Sequence, residues 1–404
     1  MRTLMTTLCL AAALSGLAAC GGSPEGAAPG ATASAEPLMR VAGGEPVEMA
    51  ATAPFTVTAH GAFDQPWALA FAPGTRTLFV TEKPGTLKFM ALPGGQVGTV
   101  TGLPEVDYGK QGGLGDVAFL PGESSSVLSG RTIYLTWAEA GDGDTRAAAM
   151  GRGQLTCAST LSCRIDGLEV IWRQQPKTEG RNHYSHRIAF SPDGKYLYLA
   201  SGERDQGAPA QDLATNLGKV LRLNLDGTPA EGNPFADRGG VSREIWSYGH
   251  RNILGLAFDP DGRLWDLEHG PAGGDELNLV ERGVNYGWPI VSNGDGYDGT
   301  PIPDHATRPE FRPPVLSWNP IIGPGDLMFY SGARWPEWRG AAIVPAMPTQ
   351  SLLILARDGA QFTERARYDF PERMRAAVEA PDGSLWLAED RTDGRLLRLV
   401  PKAG

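Results

Sequence analysis

The sequence predicts an all-β protein, a six-bladed β-propeller whose long loops gather on one functional face. Three observations lead to this fold class. Glycine (53 residues) and proline (32 residues) make up about a fifth of the 404 residues, which favours a turn-dense chain. One strand–turn–strand pattern recurs along the sequence. Long amphipathic helical patterns, which would cover the faces of a parallel sheet, are lacking in the sequence.

The recurring pattern is an apolar strand, a turn with proline and glycine, and a second strand in which β-branched and aromatic residues alternate. Its copies occupy residues 67–82, 116–139, 186–203, 254–270, 375–390 and, less clearly, 326–346. Six units in about 350 residues leave roughly 58 residues for each, more than four short strands need, so several loops must be long. Radially arranged four-stranded sheets expose only short edges, which favours the propeller. A sandwich of two large sheets is the structural alternative.

The N-terminus predicts export. Residues 1–19 combine a positive charge at Arg2 with an apolar stretch through Leu17, which is the pattern of a secretory signal peptide. The segment Leu17-Ala-Ala-Cys20 is similar to the bacterial lipobox, which implies cleavage before Cys20 and a lipid on its thiol. An ordinary signal peptide with a chance cysteine is the alternative. We therefore expect a protein of the bacterial periplasm or cell envelope, anchored to the membrane through Cys20.

The next segment is predicted to be a flexible, lipidated tether. Residues 20–54 are rich in Gly, Ala, Pro, Ser and Glu and lack a sustained hydrophobic period. The propeller domain is predicted over residues 55–404, with folded structure beginning near Pro54. Within it, Cys157 and Cys163 are predicted to form a local disulfide, because an exported compartment is oxidising. A metal site at these cysteines is less favoured, because no second Cys/His pair lies at zinc spacing.

The charge balance excludes some classes of partner. The chain has 36 Lys and Arg against 46 Asp and Glu, a formal net charge of −10, and no basic block. This argues against nucleic acid as the main partner. The sequence also lacks the glycine-rich dinucleotide fingerprint, the P-loop and the G-x-S-x-G elbow, so nicotinamide, nucleoside triphosphate and α/β-hydrolase interpretations have little support.

Loop residues next to the repeats are candidates for catalysis. His183 directly precedes a repeat hairpin, and a loop imidazole suits a general base near neutral pH. His186 begins the strand and is either an equal candidate or a packed or surface residue. Glu203 follows the second strand of that hairpin, where its carboxylate could orient an imidazole, whereas Asp205 is interpreted as a solvated turn acid. Arg251 offers planar donors for carboxylates or for negative charge developing on oxygen.

Two further segments favour ligand binding. Carboxylates in the irregular Gly/Pro loops of residues 268–289 lie beside backbone carbonyls, a combination that suits a hard cation such as Ca²⁺, although EF-hand spacing is lacking. Arg373 and Arg375 lie at strand period, so both project from one face. Facing a cavity, this pair would attract a polyanionic ligand. An exposed strand edge is the alternative for the pair.

A series of short motifs runs through the chain in order. They are Gln65-Pro-Trp-Ala-Leu-Ala-Phe, Gln111-Gly-Gly-Leu-Gly-Asp-Val-Ala, His183-x-x-x-Arg187-Ile, Gly202-Glu203, Gln211-Asp-Leu, Gly218-Lys-Val-Leu-Arg-Leu, Asn233-Pro-Phe, Glu244-Ile-Trp-Ser-Tyr-Gly-His-Arg-Asn252, Glu268-His-Gly-Pro, Gly274-Asp-Glu-Leu-Asn, Asn285-Tyr-Gly-Trp-Pro, Arg373-Met-Arg375 and Gly394-Arg-Leu-Leu-Arg-Leu. Taken together, these motifs resemble the soluble PQQ-dependent sugar dehydrogenases, specifically the aldose branch of the glucose/sorbosone dehydrogenase family. The resemblance covers about residues 55–400.

The resemblance implies a six-bladed propeller that oxidises an aldose at its anomeric carbon to the lactone, with hydride transfer to PQQ. It implies that His183 is the general base that removes the proton of the anomeric hydroxyl. Glu203 matches the carboxylate that supports this histidine. Arg251 would lie near the reacting quinone oxygen, where positive charge stabilises the anion that forms. The physiological electron acceptor, a quinone or a small redox protein, is not implied.

The resemblance also implies the residues that bind the cofactor. Those that would contact PQQ are Gln111, Arg251, Asn252, Tyr297, Arg373 and Arg375. The two strand arginines suit PQQ because its three carboxylates match fork-shaped donors. In the family, one Ca²⁺ contacts PQQ as a Lewis acid through carbonyls matching Gly270 and Pro271. Positions matching Glu276 and the carbonyl of Tyr286 bind a calcium too.

One departure from the family pattern bears on the cofactor. The family often has Ala-Leu-Lys where this chain has Ala346-Met-Pro348, and proline provides neither a charge nor a backbone donor. Two other functions therefore stay open. One is a non-catalytic propeller of the same ancestry that binds a ligand or a protein partner. The other is a lactone hydrolase that depends on calcium alone.

Overall fold

The computed structural model describes residues 44–92 and 94–402. The predicted signal peptide, the lipid on Cys20 and most of the tether therefore lie outside the described residues. In the described part of the chain, none of the helices combines the length and the apolar character that crossing a membrane requires.

The described residues confirm the all-β class. The strands, in chain order, are β1 (Glu45–Val47), β2 (Phe55–Phe63), β3 (Pro66–Phe71), β4 (Thr77–Glu82), β5 (Thr86–Ala91), β6 (Val97–Thr101), β7 (Leu114–Phe119), β8 (Arg131–Ala140), β9 (Arg146–Cys157), β10 (Ser162–Arg173), β11 (Ser185–Phe190), β12 (Tyr196–Ser201), β13 (Lys219–Asn224), β14 (Ile245–Tyr248), β15 (Ile253–Phe258), β16 (Leu264–Glu268), β17 (Asp275–Leu279), β18 (Leu316–Trp318), β19 (Met328–Phe329), β20 (Ala342–Ala346), β21 (Ser351–Asp358), β22 (Gln361–Asp369), β23 (Met374–Glu379), β24 (Leu385–Glu389) and β25 (Gly394–Pro401). Short 3₁₀ helices span Ala208–Gln211, Ala236–Arg238, Gly240–Glu244, His305–Thr307 and Pro336–Trp338.

These strands form five hydrogen-bonded sheets. Three are four-stranded, in the orders β11-β12-β13-β14, β15-β16-β17-β18 and β19-β20-β21-β22. A fourth has the order β1-β2-β25-β24-β23, so a strand from near the start of the domain pairs with its last strand. The fifth has eight strands in the order β3-β4-β5-β6-β10-β9-β8-β7. It consists of two antiparallel halves joined by a short parallel pairing between β6 and β10.

The sheets follow one another around a closed cycle. The first strand of each antiparallel unit contacts the first strand of the next, from β3 to β7, β11, β15 and β19, and β23 contacts both β20 and β3. Apolar clusters fill the spaces between neighbouring sheets; one of them joins residues of β16, β17 and β18 to residues of β20, β21 and β22. Another joins the two halves of the eight-stranded sheet. The described residues therefore do not form the two-sheet sandwich that was the structural alternative.

All six predicted repeats are antiparallel hairpins. They are β3–β4, β7–β8, β11–β12, β15–β16, β19–β20 and β23–β24. The weakest copy in the sequence is also the least regular, because β19 has only two residues and a 3₁₀ helix interrupts the connection to β20. Stacked indoles of Trp335 and Trp338, 4.9 Å apart, fix this connection instead of a tight turn.

The folded structure begins earlier than the sequence predicts. Strand β1 lies within residues 20–54, which the sequence assigns to the tether, and it pairs antiparallel with Val57–Ala59 of β2. Val47 and Met49 pack against the apolar cluster that contains Phe55. The tether interpretation therefore fails for at least its last ten residues, because even a Gly/Pro-rich segment can add an edge strand when a few apolar side chains reach the core.

The predicted disulfide is present. Cys157 and Cys163 lie directly opposite each other in the β9–β10 hairpin, with their sulfur atoms 2.05 Å apart. The bridge closes a short turn at the end of two long strands. It therefore fixes the tip of a hairpin rather than joining distant parts of the chain.

Candidate functional site

The hairpin repeat itself places the candidate residues on one rim. In an antiparallel hairpin, the start of the first strand and the end of the second lie at the same edge. Residues that precede the first strands are Gln65, Gln111, His183, Asn252 and Arg373, and residues that follow the second strands are Lys83, Glu203, His269 and Asp390. Because the sheets form a cycle, these positions converge on one side of it.

A cavity of about 480 Å³ lies at this rim. Its lining includes five cationic side chains, from Lys83, Lys110, Arg373, Arg375 and Arg391, and one carboxylate, from Asp390. The volume falls within the roughly 300–1,000 Å³ typical of small-molecule sites. The excess of positive charge suits an anionic ligand.

Arg373 and Arg375 both donate hydrogen bonds to the carboxylate of Asp390 in the cavity wall. Nε of Arg373 donates to Asp390 at 2.9 Å, and Arg375 donates through both Nε and Nη2 at 2.9 and 2.8 Å. Burial alone would raise the pKa of Asp390, but the two guanidiniums hold it below its ordinary value. Both arginines line the cavity, where their positive charge suits a polyanionic ligand.

His183 and Glu203 form a buried pair beside the cavity. Nδ1 of His183 is hydrogen-bonded to Oε1 of Glu203, and the two side chains are 7% and 1% exposed. The other carboxylate oxygen accepts hydrogen bonds from the backbone N–H groups of Gln206 (2.5 Å) and Gly207 (2.6 Å). Both carboxylate oxygens of Glu203 are therefore hydrogen-bonded, and the carboxylate in turn holds the imidazole of His183 in one orientation. Asp205 lies 3.7 Å from the same ring nitrogen and is half exposed.

Gln111 and Asn252 connect this pair to the cavity. Oε1 of Gln111 accepts a hydrogen bond from the backbone N–H of His183 at 2.9 Å and from Nδ2 of Asn252 at 3.4 Å. Both Gln111 and Asn252 line the cavity. Oδ1 of Asn252 is buried and has no hydrogen-bond partner among the described residues, which marks an acceptor free for a ligand donor.

Arg251 is buried between the cavity region and an acidic loop. Its backbone N–H donates to Glu268 at 2.5 Å, and its Nη1 donates to the carbonyl of His269 at 3.3 Å. The guanidinium lies 5.0 Å from the ring centre of Trp288. Its Nε is buried without a hydrogen-bond partner in the described part of the chain. A buried guanidinium with a free donor is suited to a negatively charged or carbonyl oxygen.

Tyr297 is placed differently from the other predicted residues. Its side chain is 77% exposed and does not line the cavity. Its hydroxyl accepts a 3.4 Å hydrogen bond from Nη2 of Arg251, so it contacts the candidate site only through that arginine. Tyr297 lies in a turn in which the backbone N–H of Gly296 donates to the carbonyl of Thr300.

The predicted calcium ligands lie next to Arg251. Gly270, Glu276 and Tyr286 line a small chamber that Arg251 also lines, and Pro271 is buried beside it. The carbonyls of Gly270 and Pro271 accept no hydrogen bond from a described residue. Burial, followed by the charge of Glu268, raises the pKa of Glu276 well above its ordinary value. Free carbonyls beside crowded carboxylates are a donor set that fits a hard cation.

The carbonyl of Tyr286 is already engaged. It accepts a hydrogen bond from Nε2 of His305 at 3.0 Å, and Nδ1 of His305 lies 3.7 Å from Oε1 of Glu276. A carbonyl oxygen has two lone pairs, so this bond leaves one for a cation. His305 therefore bridges the two predicted ligands of this site.

The sequence interpretation missed a buried group beneath this chamber. Nδ1 of His250 lies 3.1 Å from Glu268 and 3.3 Å from Asp266, and all three side chains are nearly or fully inaccessible. Burial, with the charge of Glu268, raises the pKa of Asp266 well above its ordinary value. Asp266 points inward from β16 between two apolar neighbours, and strand alternation alone does not distinguish it from a solvated acid.

The sequence interpretation also missed Lys83 and Lys110 in the cavity wall. Nζ of Lys83 donates to the carbonyl of Lys110 at 2.5 Å. Lys83 follows the second strand of its hairpin, and Glu203 occupies the equivalent place after the second strand of another hairpin. The register of the repeat could therefore have indicated Lys83 as a site residue. Pro348, in contrast, is exposed and does not line the cavity, whereas the neighbouring Met347 does.

Residues 63–398 match the glucose/sorbosone dehydrogenase family. The chain is 35% identical over 347 residues to aldose sugar dehydrogenase YliI of Escherichia coli K12, covering 84% of this chain and 91% of that protein. A solved structure of a glucose dehydrogenase is 36% identical, with a TM-score of 0.79, covering 86% of this chain and 100% of the other. The PQQ-bound aldose sugar dehydrogenase of Streptomyces coelicolor is 26% identical, with a TM-score of 0.68, covering 87% and 99%.

Proposed function

Because the chain belongs to the glucose/sorbosone dehydrogenase family, the soluble PQQ sugar dehydrogenases, we propose that it is a PQQ- and calcium-dependent aldose dehydrogenase. It would oxidise the anomeric carbon of an aldose to the lactone. The observation that carries this proposal is the buried His183–Glu203 pair beside a cavity lined by five cationic side chains. We further propose that the closed cycle of sheets is a six-bladed propeller, in which the eight-stranded sheet counts as two blades.

The cavity fits a flat, tricarboxylated quinone. Arg373 and Arg375 would hold its carboxylates from one wall. Asn252, whose buried Oδ1 is a free acceptor, could accept a hydrogen bond from an N–H group of the cofactor. Lys83 would take over the cationic contact that the family places at the position of Pro348. Bound there, PQQ would supply the acceptor for the hydride that leaves the anomeric carbon. Arg373, Arg375, Asn252 and Lys83 all line the cavity.

His183 is arranged to take a proton. In the neutral tautomer, Nδ1–H donates to the carboxylate of Glu203, which leaves the lone pair of Nε2 free. Nε2 makes no hydrogen bond to any described residue, so it can accept the proton of the anomeric hydroxyl. The carboxylate then stabilises the imidazolium that forms. The backbone N–H groups of Gln206 and Gly207 hold the carboxylate of Glu203 in place.

Arg251 and the adjacent chamber would supply positive charge. The free Nε of Arg251 can donate to an oxygen on which negative charge develops. The carbonyls of Gly270 and Pro271 could hold one Ca²⁺, and Glu276 with the carbonyl of Tyr286 could hold another. A bound Ca²⁺ would act as a Lewis acid on a ligand oxygen. It would also lower the pKa of Glu276, which burial raises in its absence.

We propose that the substrate is an aldose and that its electrons pass to a quinone or a small redox protein. We propose export through residues 1–19 and anchoring by a lipid on Cys20, with the remaining N-terminal residues as a tether to the propeller. Replacing Cys20→Ser should move the protein from the membrane fraction to the soluble fraction. Membrane association equal to that of wild type would contradict the anchor.

One experiment tests the enzymatic proposal. The purified protein is freed of metal and cofactor, supplied with PQQ, Ca²⁺ or both, and assayed for dye reduction with a panel of aldoses. Activity is expected only when both are added. Failure to bind PQQ would favour a non-catalytic ligand-binding propeller. Lactone hydrolysis with Ca²⁺ alone would favour the hydrolase.

A further inference from the structure

His186 is a buried polar side chain without a protein partner. It is 2% exposed, and both Nδ1 and Nε2 are buried with no hydrogen-bond partner among the described residues. The side chain also lines the 480 Å³ cavity. Buried polar groups are nearly always hydrogen-bonded, so a partner from outside the protein is expected at this ring.

The backbone at this position is unfavourable for a histidine. The φ angles of Ser185 and His186 are 65° and 76°, in the left-handed region that favours glycine. At Ser185 the side chain stabilises the structure, because its Oγ accepts a hydrogen bond from the backbone N–H of Ile253 at 2.9 Å. His186 has no such bond through its side chain. Glycine would relax this position, so the imidazole is kept at an energetic cost.

The ring is nevertheless held in one orientation. It stacks on Tyr184, with 5.3 Å between ring centres and an interplanar angle of 8°, and it meets Trp67 edge-on at 5.7 Å. It occupies the space over Gly115, where a Cβ would lie 2.6 Å from its Cγ. The backbone carbonyl of His186 accepts a 3.0 Å hydrogen bond from Thr136. Tyr184 and Trp67 line the same cavity, so packing within the cavity wall holds the ring in place.

The imidazole is neutral. Burial, with the nearby guanidiniums of Arg204 and Arg187, lowers the pKa of His186 to about 3. One ring nitrogen is therefore a donor and the other an acceptor. This distinguishes His186 from the cations of the cavity, which can only donate.

We propose that His186 is a further cofactor-binding residue, whose neutral imidazole hydrogen-bonds directly to PQQ in the cavity. This inference depends on the proposed function, because it takes PQQ as the ligand. It would give PQQ a hydrogen bond from a neutral side chain, in addition to the carboxylate contacts proposed for Arg373 and Arg375. His183, three residues earlier, keeps its separate role towards the sugar.

Titration of the metal-loaded apoprotein with PQQ, followed by the absorbance or fluorescence of the cofactor, tests the proposal. His186→Gly removes the ring and relaxes the backbone, and it should weaken PQQ binding about tenfold, as expected for one lost hydrogen bond. His186→Asn keeps a donor and an acceptor and tolerates the left-handed region, so it should retain most of the affinity. The matched control is Gln350→Gly, an exposed residue with φ 48° outside the cavity, which should bind as wild type does.

The possible results separate the two proposals. Wild-type affinity in His186→Gly, with normal PQQ binding by wild type, would overturn this inference alone and indicate that the imidazole is paired with water. Absence of PQQ binding in the wild type would overturn both this inference and the proposed function. An equal loss of PQQ affinity in His186→Gly and Gln350→Gly would also overturn the inference, because the loss would then come from the change to glycine and not from removal of the imidazole ring.

Discussion

Glu203 holds His183 through one carboxylate oxygen while two backbone N–H groups hold the other. The carboxylate belongs to the end of one strand and the imidazole to the loop before its hairpin partner. The hairpin therefore brings the pair together locally. Residues from neighbouring hairpins add hydrogen bonds to its backbone, from His183 N–H to Gln111 Oε1 and from Glu203 N–H to the carbonyl of Arg251. The arrangement fixes the tautomer of the imidazole and leaves its second nitrogen for chemistry.

Removing the charge of Glu203 should damage catalysis more than binding. Glu203→Gln is nearly isosteric but cannot stabilise an imidazolium, so we expect kcat to fall at least about 100-fold, with PQQ affinity unchanged. Asp205→Asn is the matched control, because Asp205 lies 3.7 Å from the same nitrogen but is half exposed. It should change kcat by no more than about threefold. Similar losses in both variants would contradict the assigned role of Glu203.

Removing the imidazole of His183 should abolish turnover and spare the cofactor. The contact of residue 183 with Gln111 uses the backbone N–H, so it persists in His183→Ala. His183→Asn is a second variant that tolerates the φ of 50° at this position. We expect both variants to bind PQQ as wild type does in a titration and to give no measurable dye reduction. Near-normal turnover in either variant would remove His183 from the role of base.

The strand arginines should contribute unequally to cofactor affinity. Arg375 is 12% exposed and donates twice to Asp390, whereas Arg373 is 45% exposed and donates once. We expect Arg375→Gln to weaken PQQ binding by roughly 10- to 100-fold and Arg373→Gln by less. Arg367→Gln is the control, because Arg367 also donates twice to a carboxylate, that of Glu364, away from the cavity. An equal effect of Arg367→Gln would indicate a general loss of stability.

Much of this arrangement could be predicted because the hairpin repeat determines where the candidate residues lie. A turn with Pro-Asp-Gly fixes where a hairpin reverses, so the ends of its strands, and the residues next to them, follow from the sequence. Hence His183, Glu203 and Arg373 are brought to one rim, as the hairpin register implies. The oxidised Cys157–Cys163 pair followed from its short spacing and the export signal.

Other features depend on contacts that short motifs do not encode. The left-handed backbone of His186 and the free nitrogens of its ring are set by packing against Tyr184, two residues earlier, and against Trp67 and Gly115, which are distant in sequence. The high exposure of the Tyr297 side chain depends on the conformation of the loop that contains it. The edge strand β1 has a composition that also suits a disordered tether. These features are determined by tertiary packing, which local propensity does not reveal.

Lys219 gives a prediction about stability rather than catalysis. Its ammonium is fully buried in β13 and donates to the carbonyls of Pro209, Ala210 and Leu217. Burial lowers the pKa of Lys219 to about 7, from 10.5 when exposed. Between these values the unfolded chain binds one more proton than the folded protein, so the free energy of unfolding must rise with pH.

The pH dependence of unfolding measures this effect. Lys219 should contribute a slope of up to about 1.4 kcal/mol per pH unit between pH 7 and 9, and Lys219→Met should lose that part of the slope. The variant leaves three carbonyls without their donor, so it is expected to be less stable at every pH, and only the change of slope is diagnostic. Lys195→Met, at an exposed turn, is the control and should keep the wild-type slope. Urea unfolding at pH 7, 8 and 9 gives the slope of the free energy of unfolding against pH for the wild type and for each of the two variants. Identical slopes for wild type and Lys219→Met would show that the buried amine keeps its proton throughout this range, held by the three carbonyl oxygens.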